Sequence, residues 1–280
     1  MIAKLNTRWF AMMLCLIWSA SQQSRADAED APSAGGLNAE TRKAVVGEMR
    51  KILEQTKVTR LGAKPAVAEL VSNPVLNWDD VPRGHHYGTL WVWGAKGRPA
   101  AIVEMYTVNF AKQIDQWPGN VLHSLATEPL KAEAEFAWDW APKQPGFKPQ
   151  RLAEVPVPAE KKVGRTLQMR ALAKRFSANQ TWRGDSAELR LLPTPVRLYE
   201  SADEKVLDGG LFVFSHGGTN PEVVLILEAI RGDDGDHWQF GCVRLGHAEM
   251  HVKFDDREVW TAPLYDAVDP TSPYYWIAKP

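Results

Sequence analysis

The segment GTLWVW (Gly88–Trp93) recurs about 120 residues later as GGLFVF (Gly209–Phe214). In both segments the last four residues are apolar on both strand faces, a pattern typical of a central strand that is covered on both sides. Other matches keep their order and nearly the same offset, such as the Met-Arg pairs that begin at Met49 and Met169. The sequence therefore predicts an internal duplication, in which each half of the chain holds one copy of the same unit.

A helix is predicted at the start of each copy. In the first copy Asn38 is a suitable N-cap residue, and a helix is expected from there to about Lys57. Its apolar residues follow helical spacing at Val45, Met49, Ile52 and Leu53. A second helix is predicted over residues 166–178, with a stripe in the same register at Met169, Leu172 and Ala173.

Four strand signals follow each helix. The first contains a proline, which is typical of an edge strand or a bulge. The next two form a hairpin around a glycine-rich loop, and the last alternates apolar and polar residues. Because the connections are short, antiparallel pairing is favoured. The predicted fold class is α+β: a tandem duplication of a helix plus a four-stranded antiparallel sheet, similar in outline to the cystatin-like fold. The alternative is one continuous eight-stranded sandwich or barrel.

The N-terminus is typical of a secretory signal. Lys4 and Arg8 precede a short apolar run, Trp9–Trp18, and Ala26-Asp27-Ala28 offers a cleavage site between small residues. The run is about half as long as a bilayer-spanning helix. Residues 1–28 are therefore expected to be a signal peptide and residues 29–37 a disordered leader, which predicts export to the periplasm, cell envelope or extracellular space.

Prolines mark the boundary between the two copies, and a tail rich in proline and aromatic residues follows the second. A proline-rich stretch between folded units is typical of a semi-extended linker. The predicted organisation is a first repeat over 38–142, a linker over 143–160, a second repeat over 161–262 and an irregular tail over 263–280.

Composition excludes some classes of partner. The net charge is −1, and no long run of one sign suggests a nucleic-acid surface or a polybasic membrane patch. No second apolar segment approaches the length of a transmembrane helix, so none is expected after the signal peptide. The chain then keeps one cysteine, Cys242, which has no partner for an intramolecular disulfide and is expected to be buried and inert.

Ser215 and His216 lie in a segment, VFSHG, that resembles the G-x-S-x-G nucleophile elbow of hydrolases. Val213 occupies the position of the first glycine, however, and the following residues are typical of a turn and a strand where the elbow requires a helix. A hairpin loop is therefore favoured. A secreted hydrolase that uses Ser215 and His216 remains the alternative, and no catalytic residue is assigned.

His247, Glu249 and His251 project from one face of a predicted strand and are suitable metal ligands by type. Three such residues on a straight strand span roughly 13 Å, so they cannot easily reach one ion. They are weak candidates, and neither a metal nor another cofactor is expected.

Tryptophan is abundant, with twelve in the chain. Flat aromatic faces stack on sugar rings, but most such residues serve a core or an interface. Trp138 and Trp140, which precede the proline-rich linker, are the preferred ligand-binding candidates.

The segments AELRLLPTPVRLYE (Ala187–Glu200) and LFVFSHGGTNPEVVLILE (Leu211–Glu228), with Trp238 downstream, resemble a family of uncharacterised exported proteins of planctomycete-type bacteria. The resemblance implies export and a family-specific scaffold, and it carries no activity or ligand. From the residues, the function expected first is a non-catalytic exported binding or envelope-associated protein, whose partner would be a cell-envelope glycan or another exported protein. A carbohydrate-binding module that uses exposed tryptophans is a further alternative.

Overall fold

The computed structural model describes residues 38–80, 86–107, 109–110, 113–114, 119–134, 138–217 and 220–277. The predicted signal peptide and leader, residues 1–37, lie outside the described residues. Among the described residues, no helix combines the length and the apolar character that crossing a bilayer would require.

Two helices occur in the described residues, α1 (Ala39–Glu54) and α2 (Lys162–Ala173). Asn38 caps α1 as predicted: its Oδ1 accepts a hydrogen bond from the Thr41 backbone N at 2.8 Å. Both helices end earlier than expected. Phe176 and Ala178, which fall within the predicted second helix, alternate with exposed Ser177 and so belong to a strand.

The first half of the chain holds eleven strands that the structure describes. They are β1 (Lys57–Arg60), β2 (Ala66–Ala68), β3 (Leu76–Asp80), β4 (His86–Trp93), β5 (Ala101–Thr107), β6 (Asn109–Phe110), β7 (Gln113–Ile114), β8 (Gly119–Ser124), β9 (Leu130–Ala134), β10 (Trp138–Trp140) and β11 (Gln150–Arg151). A four-stranded sheet has the order β10-β9-β1-β2, and β6 pairs with β7 alone.

Nine further strands follow α2. They are β12 (Phe176–Trp182), β13 (Asp185–Leu191), β14 (Arg197–Ser201), β15 (Val206–His216), β16 (Asn220–Ile230), β17 (His237–Arg244), β18 (Glu249–Phe254), β19 (Arg257–Ala262) and β20 (Tyr274–Ile277). Most of them join a nine-stranded sheet of order β11-β17-β16-β15-β13-β12-β18-β19, in which β14 also pairs with β15. A five-stranded sheet has the order β20-β8-β5-β4-β3. The strand pairs are antiparallel, as predicted.

The predicted fold class is wrong. The protein is mostly β, and it is not a duplicated α+β unit of one helix and four strands. The local patterns missed the strands that directly follow each helix. Lys57–Arg60 has four residues, too few to establish a period. Phe176, the first residue of the strand Phe176–Trp182, continues the helical spacing of Leu172 and Ala173. One eight-stranded sandwich or barrel is wrong as well, since the strands divide among sheets of four, nine, five and two strands.

The hairpin β4–β5 is covered on both faces. Trp91 and Trp93 point into a core cluster with Met49 and Leu53 of α1. The alternate residues of β4 point the other way, into a second cluster that contains residues from both halves of the chain: Leu90, Val92, Ile102, Leu211, Val213, Val224 and Ile226. A third cluster packs α2 against the nine-stranded sheet through Met169. The interface between the two hairpins is thus an apolar core in its own right.

Two short strands tie the halves together. β11, which follows the first half, pairs with β17 of the second. β20, near the C-terminus, pairs with β8 of the first half. Part of the tail expected to be irregular is therefore a strand, and each half supplies an edge strand to the sheet of the other.

Candidate functional site

A cleft of about 530 Å³ lies where the five-stranded sheet meets the nine-stranded sheet. Strands β3, β5 and β8 form one wall, and β12, β13, β15 and β16 form the other. Aromatic and acidic side chains are prominent in the lining, with Trp78, Tyr106, Trp182, Glu104, Asp185 and Glu222 among them. The volume is that of a typical small-molecule site.

The aromatic wall rests on glycines. Trp78 lies flat on Gly88, where a Cβ would collide with the indole ring, and Tyr106 lies on Gly119 in the same way. The centroids of the Trp78 and Tyr106 rings are 6.3 Å apart with a tilt of 41°. Trp182 stands on the opposite wall at the end of β12 and is 44% exposed. The cleft therefore has a rigid aromatic floor and one accessible ring at its rim.

Two carboxylates of the lining are buried on strands. Glu104 of β5 is 4% exposed and Glu222 of β16 is 5% exposed. Burial raises the pKa of the Tyr106 hydroxyl to about 12, and the nearby charge of Glu104 adds to the effect. The Glu222 carboxylate lies against Gly246, where a Cβ would overlap with it. The strands therefore fix the positions of both carboxyl groups, and because the groups are buried, dissolved salt screens their charges only weakly.

Two histidines, His216 and His247, also line the cleft. The ring of His247 meets the ring of Trp276 edge-on, with centroids 4.6 Å apart. Its Nδ1 donates to the Tyr265 carbonyl oxygen at 3.3 Å. Burial, with a smaller effect from the charge of Arg244, lowers the pKa of His247, so this imidazole is neutral at pH 7.

Two buried polar atoms of lining residues have no hydrogen-bond partner in the described part of the chain. They are the indole Nε1 of Trp78, a donor, and the Oε1 of Gln180, an acceptor. Leaving such an atom unsatisfied costs on the order of 1–3 kcal/mol. A ligand that brought a hydrogen-bonding group near either of them would recover part of that free energy.

The structure does not place the predicted tryptophan site in this cleft. Trp140 is completely buried in the cluster beneath α1, and its Nε1 donates to the Ser272 carbonyl oxygen at 2.8 Å. Its ring therefore has no free surface in this structure and lies apart from the cleft. The side chain of Trp138 lies outside the described residues.

Ser215 and His216 have different surroundings. Ser215 is 1% exposed within β15, and its Oγ donates to the Arg190 carbonyl oxygen at 3.3 Å. A nucleophile elbow would display this hydroxyl on a sharp turn, whereas here it sits on an extended strand. His216, the next residue, is half-buried and reaches the cleft.

The structure separates the candidate metal ligands. His247 faces Tyr265 and Trp276, whereas His251 lies between Glu258, at 2.7 Å, and Glu249, at 3.2 Å. In the regions that the structure describes, no group of three or more His, Cys, Asp or Glu side chains is placed to hold a metal ion. His251 and its two carboxylates form an ion-pair cluster on the solvent side of β18.

Trp78, Tyr106, Glu104 and Glu222 line the cleft but were not predicted from the sequence. A signal was available for the acids, because each interrupts an otherwise apolar strand, in AIVEMYT and in PEVVLILE. Comparison of the chain with known protein families, curated proteins and solved structures finds no match. The chemistry of the cleft has to be argued from its own residues.

Proposed function

We propose that the protein is an exported binding protein without catalytic activity, and that the cleft between the two large sheets holds its ligand. The observation that carries the proposal is the lining of the cleft: aromatic rings packed on glycines beside two buried carboxylates. Binding sites are typically concave and preformed, with apolar walls and a few fixed polar groups. Trp78 contributes to the apolar wall, and Glu104 and Glu222 are the fixed polar groups, since all three lie on strands.

The position of Ser215 supports binding over hydrolysis. Nucleophilic catalysis requires a hydroxyl that a substrate can reach. The Ser215 hydroxyl is buried and donates to a backbone carbonyl. A hydrolase that uses Ser215 would have to break this contact and open β15.

Export is part of the proposal and rests on the N-terminal sequence: the basic residues Lys4 and Arg8, the short apolar run and the site after Ala28. The full chain, expressed with secretion, should be recovered outside the cytoplasm with Glu29 as its first residue. Intact mass spectrometry measures this. A cytoplasmic product that retains residues 1–28 would contradict export.

The binding proposal can be tested with thermal unfolding in the presence of a panel of mono- and disaccharides, amino acids, polyamines and organic acids. A ligand that binds only the folded state stabilises it by RT ln(1 + [L]/Kd) and so raises Tm as its concentration rises above Kd. We expect at least one class to raise Tm, and we expect the shift to be lost in Trp182→Ala. Leu264→Ala is a matched control, because Leu264 is exposed and does not line the cleft.

Two outcomes would overturn the proposal. One is a Tm shift that Trp182→Ala leaves intact, which would place the ligand elsewhere. The other is conversion of a panel member to product at a rate that Ser215→Ala abolishes, which would establish a hydrolase.

A further inference from the structure

We propose that the exposed side of α2 binds the surface of a phospholipid bilayer that contains anionic lipids. The contact region comprises the exposed residues of α2 and the parts of residues 157–161 and of β14 that lie beside the helix, and it is called the α2 surface below. None of these residues lines the cleft, so the bilayer contact and the proposed ligand site can be tested separately.

Exposed apolar side chains are concentrated on the α2 surface. Nine large hydrophobic residues are exposed in the described part of the chain. Four of the nine lie here: Val157 at 72%, Val163 at 73%, Leu167 at 61% and Leu198 at 42%. Single exposed apolar residues are ordinary on a folded protein, whereas a group of them on one surface marks a site of interaction.

The segment before α2 is fixed against the helix. Gln168 Nε2 donates to the Val157 carbonyl oxygen at 3.0 Å, and Gln168 Oε1 accepts a hydrogen bond from the Ala159 backbone N at 2.7 Å. Val163 and Leu167 are about one helical turn apart, so their side chains are neighbours on the helix surface. Val157 therefore lies beside the exposed apolar residues of α2.

Strand β14 also borders α2. A Cβ at Gly210 would meet Met169 Sδ at 2.5 Å and Leu198 Cδ2 at 3.4 Å, so the side chains of Met169 and Leu198 approach the same glycine. Two residues further along β14, Glu200 forms an ion pair with Lys162 of α2. Leu198 therefore extends the apolar area from the helix onto the neighbouring strand.

The charges of α2 have one sign. The segment Lys161–Arg175 holds six Lys and Arg residues and no Asp or Glu, although the net charge of the whole chain is −1. Three of the six pair with acids on strands: Lys162 with Glu200, Arg165 with Asp208 and Arg175 with Asp255. The other three, Lys161, Arg170 and Lys174, are exposed and form no ion pair within the described residues. Glu160, which precedes the segment, offsets one of these three charges.

Helix α1 has a different exposed side. Its exposed charged residues include both signs: Glu40, Lys43, Glu48, Lys51 and Glu54. None of the large hydrophobic residues that are exposed in the described part of the chain belongs to α1. A polar side of mixed charge is typical of a helix that faces water, so the composition of the α2 surface is specific to α2.

An anionic bilayer accounts for both properties of the α2 surface. Its headgroups attract Lys and Arg, and its acyl boundary accepts aliphatic side chains such as Val163 and Leu167. The long side chains of Arg170 and Lys174 can keep their charges among the headgroups while their methylene groups lie along apolar surface. A small ligand would require a concave pocket, whereas a convex helix suits an extended and deformable target.

The experiment is co-sedimentation of the chain that begins at Glu29 with vesicles of phosphatidylcholine, either alone or with about 30% phosphatidylglycerol. We expect the partition coefficient to be at least about tenfold higher for the anionic vesicles, and we expect it to fall as salt is raised from roughly 0.05 M to 0.5 M, because salt screens the attraction. Val163→Gln/Leu167→Gln should weaken binding at every salt concentration, because it removes the apolar contribution.

The charge of the α2 surface is tested with Arg170→Gln/Lys174→Gln. One cation close to an anionic surface contributes about fivefold to binding, so this double variant should lower the partition coefficient at least about tenfold. Lys43→Gln/Lys51→Gln is the matched control, because it makes the same change in net charge on exposed positions of α1. It should change the partition coefficient by less than about twofold. Circular dichroism checks the fold of each variant, and the single changes Lys174→Gln and Leu167→Gln replace a double variant that does not fold.

Three outcomes would overturn the bilayer contact. The first is equal partition into neutral and anionic vesicles, or no partition into either. The second is an equal loss of binding in Arg170→Gln/Lys174→Gln and in the α1 control, which would mean that the attraction does not act through α2. The third is self-association of the chain, measured by sedimentation velocity without vesicles, that Leu167→Gln abolishes; the α2 surface would then be a contact between two copies of the protein. The cleft and its proposed ligand are unaffected by any of the three.

Discussion

Arg98 and Glu228 lie 130 positions apart in the sequence and form a bidentate ion pair across the interface between the two halves. The Glu228 side chain is fully buried, and it also accepts hydrogen bonds from the Tyr199 hydroxyl and from Gln239 Nε2, at 2.7 Å and 2.6 Å. Burial, followed by the charge of Glu228, raises the pKa of Tyr199 well above its usual value. The carboxylate is thus surrounded by donors that suit its ionised form.

Breaking this pair from one side should destabilise the protein strongly. Arg98→Met leaves the Glu228 carboxylate buried without its cation, and we expect a loss of about 3–5 kcal/mol in the free energy of unfolding. The double variant Arg98→Met/Glu228→Leu should lose less than Arg98→Met alone, because it removes the stranded charge as well. Urea denaturation followed by circular dichroism measures both.

An exposed ion pair provides the control for this prediction. Asp234, which pairs with Arg151 at 2.9 Å, is largely exposed, so Asp234→Asn should leave the urea midpoint unchanged. A double variant as unstable as the sum of its two single variants would show that Arg98 and Glu228 are not coupled.

Met49 and Met169 should be equally important to stability although they lie in different clusters. Met49 lies on the buried face of α1 and is 1% exposed, and Met169 lies on the buried face of α2 and is 0% exposed. Each change to alanine removes buried atoms and leaves a cavity, so we expect each to cost about 2–5 kcal/mol by urea denaturation. Leu167 of α2 is 61% exposed, so Leu167→Ala should change the free energy of unfolding by no more than about 0.5 kcal/mol. A neutral Met49→Ala or Met169→Ala would contradict the packing.

Periodicity predicted the elements that carry their own pattern. The stripe that contains Met49 gave the first helix and its cap, and the apolar run at Gly88–Trp93 gave a central strand covered on both faces. Sheet membership could not be predicted in the same way. The nine-stranded sheet forms because Leu191 of β13 pairs with Phe214 of β15, a contact between distant segments that no local pattern specifies.

The site was harder to predict than the secondary structure, because it too depends on contacts between distant segments. Alternation shows that a strand has two faces, but it does not show which face is covered, and Trp140 proved to face the core. Glu104 and Trp182 come together only because sheets from the two halves pack on each other. An acid inside an apolar strand was the one local sign of the cleft.

Cys242 should be chemically inert in the folded protein. It is 6% exposed in the cluster beneath α2, and burial raises the pKa of its thiol, so very little reactive thiolate exists at pH 8. In a Cys15→Ser background we expect no reaction with a disulfide reagent until denaturant is added, and then one thiol per chain. Reaction of the native protein at the rate of free cysteine would show that β17 opens readily.

His123 should make the protein less stable in mild acid. Burial, with a smaller effect from the charge of Arg244, lowers its pKa to about 4, and its Nδ1 donates to the Ser124 carbonyl oxygen at 2.8 Å. An unfolded histidine titrates near about 6.5. Between these two values the unfolded chain binds more protons than the folded one, so the free energy of unfolding falls as the pH is lowered.

The size of the effect follows from the two pKa values. Above about pH 6.5 His123 is neutral in both states, and the free energy of unfolding has its full value. As the pH falls towards about 4, the free energy of unfolding decreases by about 3 kcal/mol in total through this residue. The variant His123→Gln should lack this slope, so the difference from the wild type in urea denaturation should change across this range. His251→Gln is the control. Its Glu258 partner raises the pKa of His251, so its removal should alter stability in the opposite direction with pH. A difference between wild type and His123→Gln that stays constant from pH 7 to pH 4 would mean that His123 is not buried in its neutral form.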